Sequence, residues 1–178
     1  MTRDAVRRRA RRPQITRDPW TARRSYVKAE QLLQIAQRLT SRHPGFFVKG
    51  KGPGRGNDAT NAFMADLRRR AEKKFGPGHV ERRICGTNDY SVDFYFEDEA
   101  TIVEVALGLP NPHTEFERDV VKAALAKDAG FRVERLFFIS KPGAYRKCQQ
   151  PGRAAVAQWA RKRHRIAVEI HELRPRGA

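Results

Sequence analysis

The chain has 178 residues, enough for one domain with a sizeable core. Its 37 Lys and Arg residues exceed its 20 Asp and Glu residues and give a formal net charge of +17. This excess favours a polyanionic partner, nucleic acid before an anionic membrane surface, over a basic protein without such a partner. The two Cys residues have no metal-ligand spacing, which argues against a zinc site and fits a reducing cytoplasm. No apolar run reaches transmembrane length, so no membrane-spanning segment is expected, and nucleic acid rather than a membrane is the predicted partner.

The N-terminal residues 1–22 are predicted to be a disordered, Arg-rich arm. Residues 1–24 contain nine Arg against only Asp4 and Asp18, and a segment this polar buries too little apolar surface to become ordered. A mitochondrial presequence would also be rich in Arg, so that alternative stays open. Residues 23–178 are predicted to form a single domain.

Two helices are predicted next, at residues 25–39 and 58–75, on the basis of apolar spacing. The basic loop KGKGPGRGN joins them, and its cations are Lys49, Lys51 and Arg55. A glycine-rich loop just before a helix N-terminus favours contact with phosphate, whereas a solvated linker is the alternative. The loop lacks the GK[ST] sequence of a nucleotide P-loop.

A strand near residues 80–85 precedes two short strands within YSVDFYFEDEATIVEVA, residues 90–106. Side chains alternate between faces along a strand, so Asp93 and Glu104 each point away from the apolar residues of their own strand. If both apolar sets face the core, the two carboxylates become neighbours on the other face. Such a pair can hold a hard divalent cation, and the alternative is a pair of solvent-facing charges.

The second half of the chain predicts a helix at 114–129, a buried strand at 133–139, a helix at 152–163 and a final strand at 166–170. A strand, a helix and a further strand in one sheet usually form a right-handed parallel crossover. The predicted fold class is therefore α/β, with a mixed central sheet flanked by helices.

Charge is unevenly distributed along the chain. Nine of the 20 acidic residues lie between residues 89 and 119, where they would repel a bound polyanion unless cations bridge the two. The C-terminal helix carries a basic set that is predicted to contact a nucleic-acid backbone, comprising Arg161, Arg163 and Arg165.

The order of elements and the D-x10-E spacing of Asp93 and Glu104 resemble the PD-(D/E)XK nuclease fold over roughly residues 58–170. The run EVALGLPN followed by FERDVVKAALA is similar to the BglII-like restriction endonuclease group. The resemblance implies a restriction-endonuclease-like sheet with an extra N-terminal helix. It also implies a Mg²⁺- or Mn²⁺-dependent DNA endonuclease in which Asp93 and Glu104 are metal-binding and catalytic.

Ala106 departs from the family pattern, because the family has Lys, Gln or Glu at this position. Ala can neither activate water nor stabilise developing charge, so either the role has moved or the protein does not cleave. Lys122, three residues after Asp119 on the following helix, is the candidate for a moved catalytic Lys. A helical wheel favours a solvated Lys122 instead, because it places this residue nearly opposite the apolar arc of Phe116, Val120, Val121, Ala124 and Leu125.

Three alternatives stay open at this point. The same scaffold could bind nucleic acid without cutting it, or the chain could be an RNA- or ribosome-associated basic protein. Enzymes that cut both strands of a palindrome are often two-fold dimers, so a homodimer is open as well.

Asp66, beside the apolar stripe of its helix, is a weaker candidate for a third acidic residue of the site.

Overall fold

The computed structural model describes residues 27–47, 55–106 and 114–175. The predicted arm, Lys49 and Lys51 lie outside the described residues. The α-helices are α1 (Val27–Leu39), α2 (Arg55–Phe75), α3 (Thr114–Asp128), α4 (Ala144–Cys148) and α5 (Pro151–His164). The strands are β1 (Val80–Arg82), β2 (Val92–Phe96), β3 (Thr101–Glu104), β4 (Arg135–Ser140) and β5 (Ala167–Glu172).

The five strands form one mixed sheet in the order β1-β2-β3-β4-β5. The first three strands form an antiparallel meander, whereas β4 pairs parallel with β3 and β5 pairs parallel with β4. The parallel pairs follow from the helical crossovers, since α3 joins β3 to β4, and α4 and α5 join β4 to β5. The predicted α/β class and mixed sheet with flanking helices are confirmed.

Each face of the sheet is covered by a different helix layer. On one face, α1 and α2 pack against the aromatic residues Phe94, Phe96 and Phe137. On the other face, α3 and α5 cover a second core that includes Tyr95 and Ile102. Alternating side chains of β2 and β3 therefore enter two cores, and any charged group on either face needs a partner.

A carboxylate from the β2–β3 turn caps the N-terminus of α1. The buried Glu99 accepts hydrogen bonds from the backbone N–H groups of Lys28 at 2.6 Å and Ala29 at 3.3 Å. The first N–H groups of a helix have no intrahelical partner, and the helix dipole favours a negative charge there. One acidic residue of the hairpin thus fixes α1 on the sheet.

A buried arginine makes a second connection between α1 and the sheet. Arg135 of β4 donates to both carboxylate oxygens of Glu169 on β5, at 2.8 and 2.7 Å, and to Glu30 of α1 at 2.7 Å. His171 stacks on Phe137 with ring centroids 3.9 Å apart and contacts Glu169 at 3.2 Å. This network joins α1, β4 and β5.

Most predicted elements are present with shifted ends, but two differ in kind. Helix α2 begins at Arg55, inside the stretch predicted as a loop, so Arg55 is a helical residue. Helix α4 is an additional element, since no helix is predicted between residues 139 and 152. Its five residues span little more than one turn, too short for a periodic apolar pattern to be visible.

None of the helices in the described part of the chain has the length and apolar character needed to cross a bilayer.

Candidate active site

Asp93 and Glu104 lie side by side where β2 begins and β3 ends. The strand register pairs Phe94 with Val103, and extending it by one residue sets Asp93 opposite Glu104. Asp93 N–H points to Glu104 Oε2 at 3.4 Å, and Val105 N–H donates to Asp93 Oδ2 at 2.8 Å. The structure thus brings together the two carboxylates that strand alternation places on one face.

Lys122 of α3 reaches this carboxylate pair from the helix above the sheet. Its Nζ lies 2.7 Å from Glu104 Oε1 and 2.8 Å from Asp119 Oδ1, and it donates to the Ser91 carbonyl at 3.1 Å. The Lys122 side chain is 9% exposed and that of Glu104 is 4% exposed. The three charged side chains form a continuous buried chain, Glu104–Lys122–Asp119.

The expectation that Lys122 is solvated is wrong. The buried face of α3 runs through Phe116, Val120 and Ala123, whereas Val121 is 42% exposed. The helical wheel assigns only apolar residues to the buried face, and so it places that face too close to Val121. In the fold, one flank of the buried face is ionic, because Lys122 is neutralised by acids on both α3 and β3.

Asp119 is the site residue that the sequence interpretation left without a role. It is 3% exposed, and its pairing with Lys122 spans three residues of one helix. The D-x-x-K spacing was the available signal, since residues three apart on a helix are neighbours. Helical spacing alone does not reveal that the pair is buried against Glu104.

Burial and mutual charge shift the protonation equilibria of the buried chain. Burial raises the pKa of Glu104 well above its usual value, and the nearby Asp93 and Asp119 carboxylates add to the effect. Burial also raises the pKa of Asp119, against the opposing influence of Lys122. For Lys122, burial alone would lower the pKa, but Glu104 and Asp119 outweigh it and raise the pKa. Lys122 is therefore a cation at neutral pH.

These residues line a cleft of about 440 Å³ between α2 and α3, at the end of the β2–β3 hairpin opposite its turn. Six acidic and three basic side chains line it: Glu81, Asp89, Asp93, Glu104, Glu115 and Asp119, with Arg68, Arg118 and Lys122. The cleft is thus an acidic region in a chain whose formal net charge is +17. Such a cleft attracts cations rather than bare phosphates.

Asp66 does not join the cleft, which is a correction to its weak candidacy as a third acid. Its carboxylate contacts His43 at 3.4 Å, Arg70 at 3.2 Å and Arg69, all outside the cleft lining. Arg68 is the α2 residue that faces Asp93 instead, with Nη2 3.5 Å from Asp93 Oδ1. Asp66 therefore belongs to a separate cluster with His43, Arg69 and Arg70.

The donors at the cleft fit a magnesium ion in their chemistry. Among the described residues, no three His, Cys, Asp or Glu side chains are grouped so that they could hold a metal together. Mg²⁺ is commonly held by only one or two carboxylates and keeps several waters, so Asp93 and Glu104 suffice in number. Asp93 is 23% exposed to the cleft, and the buried Glu104 Oε1 contacts Lys122 as an ion pair without an aligned hydrogen bond. Both carboxylates retain lone pairs for a cation.

The predicted nucleic-acid contacts lie elsewhere. Arg161 and Arg163 are exposed on α5, and Arg165 is exposed just after it. None of these three lines the cleft. Arg55 begins α2, and Lys49 and Lys51 are outside the described residues.

Comparison with known proteins finds no match. No family model, no curated protein and no solved structure is significantly similar to this chain.

Proposed function

We propose that this protein is a Mg²⁺-dependent DNA endonuclease of the PD-(D/E)XK type, in which Lys122 takes the part of the family's lysine. The observation that carries the proposal is the contact of Lys122 Nζ with Glu104 Oε1 at 2.7 Å, beside Asp93 and at a cleft. A carboxylate pair with an adjacent ammonium group is the chemical set that the family resemblance implies. Here the ammonium group comes from α3 rather than from β3.

The topology supports this proposal. An antiparallel meander, then α3 and a parallel fourth strand, follow α2 in the order that the resemblance implies. Asp93 lies on the second strand of the meander and Glu104 on the third. The restriction-endonuclease-like fold is accordingly part of the proposal, with α1 as the extra N-terminal helix and β5 as an added parallel strand.

The charge distribution supports a cation at the cleft. Two carboxylates about 4 Å apart repel each other by roughly 4 kcal/mol at an effective dielectric near 20. Lys122 offsets part of this repulsion at Glu104, but among the described residues the only basic side chain paired with the Asp93 carboxylate is Arg68, at 3.5 Å. A divalent cation between the carboxylates would relieve the remainder and make the cleft compatible with a phosphate.

Asp93 and Glu104 are the residues that would hold the Mg²⁺ or Mn²⁺ ion. A bound ion would supply Lewis-acid polarisation of a phosphoryl oxygen and a water of lowered pKa. Lys122 has a pKa that burial would lower but that Glu104 and Asp119 raise overall, so its ammonium form is favoured and suits a hydrogen-bond donor rather than a general base. It orients Glu104 and can donate a hydrogen bond to an oxygen on which negative charge develops.

A second candidate function is a nucleic-acid-binding protein without cleavage activity. Ala106 favours it, because this residue is only 2% exposed and packs in the core below the cleft at the position where the family has its catalytic side chain. In this alternative, the Glu104–Lys122–Asp119 chain would only stabilise the fold. DNA binding would then be strongly salt-dependent and would need no divalent cation.

A plasmid-nicking assay with Mg²⁺ or Mn²⁺ separates the two candidates. We expect the wild type to nick DNA only when the divalent ion is present, and Asp93→Ala and Glu104→Ala to be inactive. Lys122→Met should lose about two to three orders of magnitude in rate, the range for removing one preorganised donor. Asp98→Asn, an exposed change in the β2–β3 turn, is the control and should remain active. A wild type that binds DNA but never cuts it would support the second candidate.

A further inference from the structure

Arg68 of α2 is a cleft cation to which the proposed chemistry gives no role. Its Nη2 lies 2.8 Å from Glu81 Oε1 and 3.5 Å from Asp93 Oδ1, so one guanidinium nitrogen spans two carboxylates. Asp93 is one of the two carboxylates that would hold the cation. Arg68 and the cation would therefore compete for the same carboxylate.

The contact between Arg68 and Asp93 is weak for a charged pair. Charge-assisted N–H···O⁻ bonds usually measure about 2.7–2.9 Å, and a guanidinium that binds a carboxylate well does so with two parallel bonds. Here a single nitrogen approaches at 3.5 Å. Within the described residues, the buried Arg68 Nε donates to no acceptor. The guanidinium is thus held only loosely by Asp93.

Glu81, which also lines the cleft, pairs with the same guanidinium nitrogen. It is a non-glycine residue with a φ of 47°, in the sparsely populated left-handed region. Such backbone strain persists where the surrounding structure maintains it and is concentrated at functional sites. Because the Glu81 side chain is itself 57% exposed, its pairing with Arg68 is not a buried structural bond. The Arg68–Glu81 pair therefore lies at the edge of the cleft and is in contact with solvent.

We infer that Arg68 is the substrate-phosphate-binding residue of the cleft and that it exchanges Asp93 for phosphate when a divalent cation binds. This inference rests on the proposed cation site. A divalent cation held by Asp93 would repel the guanidinium and compete with it for the carboxylate. A phosphodiester beside that cation then presents two oxygens in a geometry that a guanidinium binds bidentately.

The next residue on the same helix is a matched control. Arg69 carries the same charge on α2, but its side chain is 77% exposed and contacts Asp66 outside the cleft. Removal of either arginine lowers the net charge equally, so general electrostatic effects on DNA or metal ions should be similar. Only removal of Arg68 acts on Asp93 directly.

Calorimetric titration of the full chain with Mn²⁺ alone tests the exchange without any requirement for activity. Removing a positive charge from beside the cation should make Arg68→Ala bind Mn²⁺ about three- to tenfold more tightly than the wild type. Arg69→Ala should stay within about twofold of the wild type, because its charge is exposed and screened. Unchanged or weaker Mn²⁺ binding by Arg68→Ala would overturn the inference.

Asp93→Asn in the same titration distinguishes this inference from the proposed function. If Asp93→Asn abolishes Mn²⁺ binding and Arg68→Ala leaves it unchanged, only the exchange is wrong. If the wild type binds no Mn²⁺, or binds it equally well after Asp93→Asn, both the cation site and the exchange are wrong. Arg68→Gln, a neutral variant of similar length, replaces Arg68→Ala if circular dichroism shows that the alanine variant does not fold.

Fluorescence anisotropy with a short labelled DNA duplex in Ca²⁺ tests the phosphate contact. Arg68→Ala should bind the duplex about three- to tenfold more weakly than Arg69→Ala, since a charged hydrogen bond at the cleft is lost in addition to the net charge. Equal affinities of the two variants would show that Arg68 is not a phosphate contact.

Discussion

Lys122 Nζ lies 2.7 Å from Glu104 Oε1, and the two side chains are almost completely buried. Lys122 of α3 thus neutralises the carboxylate of Glu104, which the alternation of side chains along β3 directs into the protein. The same ammonium group contacts Asp119 at 2.8 Å. One lysine therefore compensates two buried acids.

Lys122→Met should lower the free energy of unfolding by about 3–5 kcal/mol at neutral pH, the usual cost of leaving buried charges without their partner. Urea denaturation followed by circular dichroism measures this difference. Lys162→Met, an exposed lysine of α5, is the control and should change stability by less than about 0.5 kcal/mol. A Lys122→Met variant as stable as its control would show that the contact is absent in solution.

A double-mutant cycle tests the pairing of Lys122 with Asp119. Asp119→Asn removes one of the two acids that become unpaired when Lys122 is lost. The double variant should therefore be more stable than the sum of the two single changes predicts, with a coupling of about 0.5–3 kcal/mol. Additive effects within about 0.3 kcal/mol would indicate that the two side chains do not interact.

Glu169 should make stability sensitive to acid. Burial would raise its pKa, but hydrogen bonds from His171 and Arg135 outweigh burial and lower the pKa to about 2, from its ordinary value of 4.5. Its folded-state pKa is depressed, so its contribution is fully present above about pH 4.5 and is lost as pH falls through 2. Urea denaturation at several pH values should show a smaller loss of stability in this range for Glu169→Gln than for the wild type. Glu72→Gln, exposed on α2, should keep the wild-type profile.

Glu99→Gln should destabilise the protein by about 0.5–2 kcal/mol, the usual range for a helix N-terminal cap. The charged carboxylate accepts from the N–H groups of Lys28 and Ala29, and an amide oxygen accepts less strongly. Denaturation of Glu97→Gln, an exposed acid of the same turn, supplies the comparison. Equal stability of the two variants would rule out the cap.

Strand alternation predicts the convergence of Asp93 and Glu104, because its period of two fixes which side chains share a face once the apolar residues are assigned. The helical wheel predicts a solvated Lys122, whereas the structure buries this side chain, and the difference has a physical reason. A wheel ranks helix faces by apolar residues, whereas the buried face of α3 includes an ion pair that becomes favourable only after Glu104 is placed beside it. That information lies in the tertiary structure.

The role of Arg68 was not visible in the sequence either. It lies in a run of three arginines on α2 whose members have the same propensity and charge, yet Arg69 and Arg70 contact Asp66 and only Arg68 contacts Asp93. The distinction arises from the packing of α2 against β1 and β2. Likewise, Glu99 belongs to an acidic turn whose sequence resembles a set of solvent-facing charges. Only the structure shows that its carboxylate caps the N-terminus of α1.

We propose that Asp93 and Glu104 hold a divalent cation together. The most direct measurement is an anomalous difference map from crystals of the wild type and of Asp93→Asn grown in Mn²⁺. We expect one strong peak in contact with both carboxylates in the wild type and its loss in the variant. A wild-type map without a peak at these carboxylates, in crystals that bind Mn²⁺ elsewhere, would show that Asp93 and Glu104 do not form a cation site.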